Sequence, residues 1–508
     1  MNFDPNPELT LTDSGCGRTG GVREEKMGTK NDVDSIGLPR AWPSTQWIAA
    51  IALFILCALG AGASDLVQTG LENSRLRSLT MDAFFDPARN FLDAAVRLHF
   101  ADPAPERCLF LAEGLEVNSV CSGSKTKLSF KQDSGLVFVQ GSGEMELELR
   151  YSGRLVRVQD PIDASASQDI PEMPIMADDC YFLSYLQDFY PHPKLDFIPL
   201  QMNIRIPNEW NCLGSGTLIG VEPESASNTY RFENAQAKGL TFVVGRFQQV
   251  GLVGGAIPIR LHGWPACNYK DYFTDANMAQ ALSFLIEHFG PLDLPELNVL
   301  FRSGRCFSGT SYTGLIVLNL EEPSSRFLAA AAKKTQSESM FSIIDAKTDL
   351  LIHELAHQWW GGLVSWKTSA DNCITEGLAT FSTLLYLRES QGEKAYRNAL
   401  KRLNQQVKRY ADLGVPAQGV SLKLMNRGSA VYQALVYVKP ALMLAALADR
   451  LGEKELLFRL RAILAKRRGC NLDTAEFLSQ LSAGDRELSM FLGLWLFKKG
   501  LPPDAPGR

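Results

Sequence analysis

At 508 residues, with 45% hydrophobic and 21% charged positions, the chain is long enough for two or three domains and for a sizeable buried core. Its 51 basic and 56 acidic residues leave a net charge of -5, with no long like-charge block. That balance argues against a phosphate-tracking surface, and no nucleic-acid partner is expected.

Residues 1–45 are rich in Gly, Asp, Ser and Pro without apolar periodicity and read as a disordered tail. The segment 46–63 holds the apolar run from Trp47 to Ala63, inside a charge-free stretch between Arg40 and Asp65. Ala61-Gly62-Ala63 before Ser64 has the small-x-small pattern of a signal-peptidase site. The polar residues ahead of it fit either a start at Met27 or a retained N-terminal membrane anchor through residues 46–63. Both readings export everything after Ser64, so an extracytoplasmic location, periplasmic or secreted, is expected. Of ten cysteines, Cys108, Cys121, Cys180, Cys212, Cys267, Cys306, Cys373 and Cys470 follow Ser64. Disulfides are permitted there, and Cys108 with Cys121, flanking neighbouring strand-like runs, is the pairing expected. The absence of any CxxC pair argues against a cysteine-built metal site.

Residues 64–255 carry short alternating runs such as LDAAVRLHF, GLVFVQG, EMELELRYSG, LQMNIRIP and TFVVGRF, punctuated by Gly, Asn and Pro. They predict an N-terminal antiparallel β domain. Residues 256–508 begin with a helix over about Asp271 to Phe289, pass through the strand-like runs LNVLF and GLIVLNL, and are mostly helical to Pro502. The fold class expected is therefore α+β, a β domain followed by a mainly helical domain.

The chemistry concentrates in LLIHELAHQWWGG, residues 350–362. His353 and His357 lie one helical turn apart and can aim two imidazoles at one ion, while Glu354 reaches the same place without ligating. A tetrahedral zinc needs a third protein ligand and one open position for water. Nineteen residues after His357, the apolar helical run CITEGLATFSTLLYL carries one carboxylate, Glu376, near its start. Such a carboxylate is costly to bury without a partner, and a metal is the natural one. One Zn²⁺ per chain is expected. His99, His192, His262 and His288 have no such company and read as structural or surface residues.

HELAHQWWG followed by TEG at this spacing resembles the membrane alanyl aminopeptidases, gluzincins of the pattern HExxH, eighteen residues, Glu. VYVKPALML looks like that family's tyrosine segment, and LSAGDRELSMFLGLWLFKKGLP like its closing catalytic helices. LQMNIRIPNEWNCLGSG with TFVVGRF is similar to its β domain, so the resemblance covers most of residues 78 to 502. It implies a saddle-like β domain on a thermolysin-like zinc-peptidase domain, without the large C-terminal helical domain of full-length members. It implies a peptide substrate, with His353, His357 and Glu376 as zinc ligands, Glu354 as general base and Tyr437 as phenol donor to the developing oxyanion.

Three positions depart from the family pattern. Its exopeptidase motif GxMEN aligns with residues 309–316, where Gly309 and Ser311 become the substrate-binding candidates and Ser311 stands in place of an amine-binding glutamate. A carboxylate from Asp178, Asp179 or Asp188 is a conceivable substitute. Pro440 replaces a glycine after the lysine, which a helix turn can tolerate. Thr383 stands where the family often has a glutamate that orients a metal histidine. The reading is an aminopeptidase-like zinc metallopeptidase with altered amine recognition. A zinc endopeptidase and a non-catalytic binding module are the alternatives.

Overall fold

The computed structural model describes residues 74–141, 143–155, 176–177, 180–264, 267–304, 308–321, 343–415, 430–503 and 505–506. All lie in one compact unit, Ser44–Arg508. The tail 1–45, the apolar segment 46–63, Asp178, Asp179 and Cys306 fall outside the described residues.

The alternating runs fold as strands: β1 (Leu76–Asp86), β2 (Phe91–Phe100), β3 (Glu106–Phe110), β4 (Leu115–Ser122), β5 (Ser129–Asp133), β6 (Leu136–Gln140) and β7 (Glu146–Arg154). β8 (Met176–Ala177), β9 (Cys180–Ser184), β10 (Ile198–Pro207), β11 (Asn211–Gly214), β12 (Thr217–Pro223), β13 (Ser227–Ala237) and β14 (Thr241–Gly245) follow. Seven form one sheet in the order β12-β13-β10-β1-β2-β7-β4, beside a sheet β11-β14-β9-β8 and a small sheet β3-β6-β5. Because side chains alternate across a strand, Met81, Ala83 and Phe85 of β1 share an inner face with Leu92, Val96 and Leu98 of β2. Asp82 and Arg97 point outward and pair at 2.9 Å. Burying a side chain such as Phe85, Val96 or Leu98 contributes about 1.5–3 kcal/mol, and all three sheets add residues to this core. The pairing is antiparallel except that β1 and β10 run parallel.

A second sheet system has the order β15-β16-β17-β19-β18, from β15 (Gln248–Val253), β16 (Ile259–Gly263), β17 (Leu297–Gly304), β18 (Ser308–Tyr312) and β19 (Leu315–Glu321). β15 pairs with β16, so the strand 248–253, which falls inside the expected β domain 64–255, is an edge of the other region's sheet. The chain therefore crosses over near Phe247, before residue 255. Alternation marks a strand but not its partner, which explains the difference. A small apolar cluster joins the two regions, with Phe182, Leu213, Val243 and Phe247 against Leu300, Tyr312, Leu315 and Val317.

The helices are α1 (Asp275–Phe289), α2 (Ala346–Ala356), α3 (Cys373–Lys408, broken at Gly392), α4 (Lys439–Leu451), α5 (Glu453–Lys466), α6 (Thr474–Ser482) and α7 (Arg486–Leu496). Gly392 takes φ 83°, a left-handed value that favours glycine, and so separates two helical pieces of α3. The stretch Ala430–Leu451 is the one helix among the described residues long and apolar enough to cross a membrane, but 78% of its most apolar window is buried in the protein core. Cys108 and Cys121 are free thiols in different sheets, on β3 and β4, which corrects the expected pairing. Neighbouring strands in sequence need not be neighbours in one sheet.

Candidate metal centre

α2 starts where the Asp345 carboxylate accepts from the backbone N–H groups of Lys347 and Thr348, satisfying donors that a helix start leaves open. Two turns on, the helix presents His353 and His357 on one face. α3 meets it with its first turn, and Glu376 points at the same spot. His353 Nε2 is 3.1 Å from Glu376 Oε2 and 3.1 Å from His357 Nε2, and His357 Nε2 is 3.4 Å from the same carboxylate oxygen.

These separations test the fit to a metal. Two ligand atoms at 2.0–2.1 Å from a tetrahedral zinc lie about 3.3 Å apart, close to all three distances. His357 Nδ1 donates to the Trp360 carbonyl at 2.9 Å, which places its proton there and leaves a lone pair on Nε2. Charge points the same way. Burial works against a charged His357, but Glu376 first and Glu354 after it outweigh burial and hold its pKa up to about 9. Burial also works against an ionised Glu376, yet His357 and His353 hold it well below the usual carboxylate range. The cluster thus draws positive charge into itself, and a divalent ion answers that demand. It is the one group of this kind among the described residues.

Around the ligands, Asn372 donates from Nδ2 to Glu376 Oε1 at 3.4 Å and to the Tyr432 hydroxyl at 3.3 Å, steadying the carboxylate. Thr383 turns back to the Ala379 carbonyl within its own helix, so no carboxylate at this place steers a histidine. Glu354, 5% exposed, faces the edge strand β18. A Cβ on Gly309 would lie 2.6 Å from the Cγ and Oε1 of Glu354, so only glycine leaves that carboxylate its place. Tyr437 comes from a π-helical turn, Gln433–Val438, and its ring stacks on His353 at 5.6 Å and 18°.

Ser311 lies two residues along β18 from Gly309, with its hydroxyl accepting from Gln358 Nε2 at 2.7 Å. The same amide donates to the Tyr312 carbonyl at 3.0 Å, and its oxygen accepts from the Gly314 N–H at 2.9 Å. Gln358 therefore stitches the β18–β19 hairpin to the end of the metal helix. Sequence reading missed it. The available signal was a polar residue directly after His357 in an otherwise apolar stretch, and it is 1% exposed. The β region grips the hairpin from behind: the Tyr312 hydroxyl donates to Ser184 Oγ at 2.9 Å, and Phe182 and Tyr185 pack on the Tyr312 ring. Asp188, a candidate substitute for the missing glutamate, is 2.9 Å from His192.

The structure thus gathers His353, Glu354, His357, Glu376, Tyr437 and Gly309 at one place, with Ser311 beside them. The other histidines stay apart. His192 contacts Asp188, His262 contacts Asn298 Oδ1 and His288 contacts the Phe284 carbonyl, while His99 is exposed on β2.

Residues 321–495 match the family described as Peptidase family M1 domain. The chain is 21% identical over 411 residues to Probable aminopeptidase 1 of Sulfurisphaera tokodaii, covering 77% of this chain and 49% of that protein. It is 22% identical over 268 residues to mitochondrial Aminopeptidase 2 of Saccharomyces cerevisiae, covering 52% and 27% respectively. The chain spans about half the length, or less, of these relatives. The crystal structure of an M1 zinc metallopeptidase from Deinococcus radiodurans shares the fold, with 20% identity, a TM-score of 0.68 and coverage of 86% of this chain and 97% of that one. A mutant of that enzyme bound to a Tyr-Ser-Ala substrate superposes with a TM-score of 0.67, at 19% identity, over 86% and 98%.

Proposed function

We propose that this chain, a member of peptidase family M1, is a zinc-dependent metallopeptidase that hydrolyses peptide bonds, aminopeptidase-like but with altered recognition of the substrate's N-terminal amine. The observation that carries the reading is the convergence of His353, His357 and Glu376 at tetrahedral spacing, with the non-ligating Glu354 on the same helix. A zinc ion held there supplies Lewis acidity to a water and to the substrate carbonyl. Glu354 takes the water's proton and hands it to the leaving amine, a role that needs a carboxylate beside the ligands but not among them. The Tyr437 phenol donates a hydrogen bond to the carbonyl oxygen as negative charge develops on it.

Altered amine recognition rests on Ser311. In the family pattern a glutamate here meets the substrate ammonium; in this chain an uncharged hydroxyl tied to Gln358 occupies the place. The apolar run 47–63 supports a location outside the cytoplasm. Protease added to intact cells tests the location: digestion is expected, and protection until lysis overturns it.

The function is tested with the purified protein by metal analysis and by a mixed peptide library read by mass. About one zinc per chain and cleavage of library members are expected, with both lost in Glu376→Ala because one of three ligands is gone. Full zinc in that variant overturns the ligand assignment. Wild type that holds zinc and cleaves nothing overturns the peptidase reading and favours a binding module.

A further inference from the structure

Tyr437 lies in a break of helical register directly before Pro440. The turn Gln433–Val438 is π-helical, and the N–H of Lys439 bonds the carbonyl of Ala434, five residues back. A regular α4 extended backward would instead bring the N–H of residue 440 to the carbonyl of Val436. Proline has no such N–H, and its ring presses on the carbonyl four residues before it. Opening the turn by one residue relieves that pressure, and α4 then starts with the proline in its first turn, where a missing N–H costs little.

One contact fixes the proline and another the lysine before it. Gly377, next to ligand Glu376, lies so close that a Cβ there would sit 2.4 Å from Pro440 Cβ, so α3 and α4 touch through a glycine and a proline. Lys439, fully buried, donates from Nζ to the Lys498 carbonyl at 2.8 Å and holds the other side of the turn. With Pro440 fixed, the added residue sets the phase of the turn. Val436 and Val438 are buried in the core, while Tyr437 is only partly buried and stacks on His353.

We propose that Pro440 is a positioning residue that imposes the π turn and thereby aims Tyr437 at the metal centre. The sequence departs from its family pattern here, and the proline replaces a flexible glycine with a conformational constraint. The catalytic consequence rests on the peptidase reading; the geometric claim does not. The test therefore has two readouts on the full chain, Pro440→Ala alone and combined with Tyr437→Phe.

The first readout is independent of activity. In protein labelled with 3-fluorotyrosine, the Tyr437 resonance is assigned by its loss in Tyr437→Phe. In Pro440→Ala it is expected to move as the ring leaves its stack on His353. The second is kinetic. Tyr437→Phe alone is expected to reduce turnover by about two orders of magnitude, and Pro440→Ala by about tenfold, with KM and zinc content unchanged. In the Tyr437→Phe background the proline substitution is expected to add less than about twofold, because it acts through the phenol. An unmoved resonance overturns the proposal, as does an equal loss in both backgrounds. If wild type lacks activity but the resonance moves, the peptidase reading fails and the positioning claim stands. Pro440→Ser, which also restores the N–H, replaces Pro440→Ala if that variant does not fold.

Discussion

The metal side of the candidate site is carried by the first turn of α3 and the last turns of α2, whereas the side proposed for recognition is an edge strand held by Gln358, by β19 and by the β region behind it. On the metal side His353, Glu354 and His357 share the end of α2, Glu376 comes from the first turn of α3, and Tyr437 comes from the π turn Gln433–Val438. On the recognition side the charged anchor of the family pattern is absent, and the hydroxyl in its place is already bonded within the protein. The comparison teaches that the two proposed functions of this site rest on different parts of the chain. The proposed bond cleavage draws on a few groups around His353, His357 and Glu376. The proposed choice of substrate falls to a strand whose partners come from elsewhere in the chain.

The largest effect that would sharpen this separation is Glu354→Gln. Zinc should stay, since the residue is not a ligand, and turnover should fall by roughly 10²- to 10⁴-fold, the usual worth of a general base. Metal content and kcat measured on one preparation check it; turnover like wild type removes Glu354 from the chemistry.

Gly309→Ala probes the point where the two sides touch. A Cβ 2.6 Å from Glu354 must displace either the carboxylate or the strand. A displacement near 1 Å costs roughly 10²-fold in rate. Zinc content should hold while kcat drops. Full activity would mean that the strand yields without disturbing the base.

Ser311→Glu gives the smallest effect and bears on recognition alone. Wild type should cleave free and acetylated peptides within a modest factor of each other. The new carboxylate should raise the preference for the free amine by roughly tenfold, on the rule that 1.4 kcal/mol is a factor of ten. The check is the ratio of kcat/KM for a matched peptide pair in both proteins. An unchanged ratio means that β18 does not meet the substrate amine.

The cluster of His353, His357 and Glu376 was legible because its parts sit on two helices close in sequence. His353 and His357 need only a helix to share a face, and Glu376 needs only the next helix to begin beside them. The β region was legible in kind, since alternation reports a half-buried strand, yet its pairing was not. A boundary expected at residue 255 left β15 with the β region, and the pairing expected for Cys108 and Cys121 joined strands that lie in separate sheets.

What the sequence suggested by itself was the general type of each region and three side chains, His353, His357 and Glu376, that the fold gathers, because both follow from local spacing. What only the tertiary structure decided were the contacts between distant segments. Gln358 reaches Ser311, forty-seven positions away; Gly377 makes room for Pro440; Tyr312 is held by Ser184 across the boundary between the two regions. Each depends on how whole sheets and helices pack, and no local pattern encodes that.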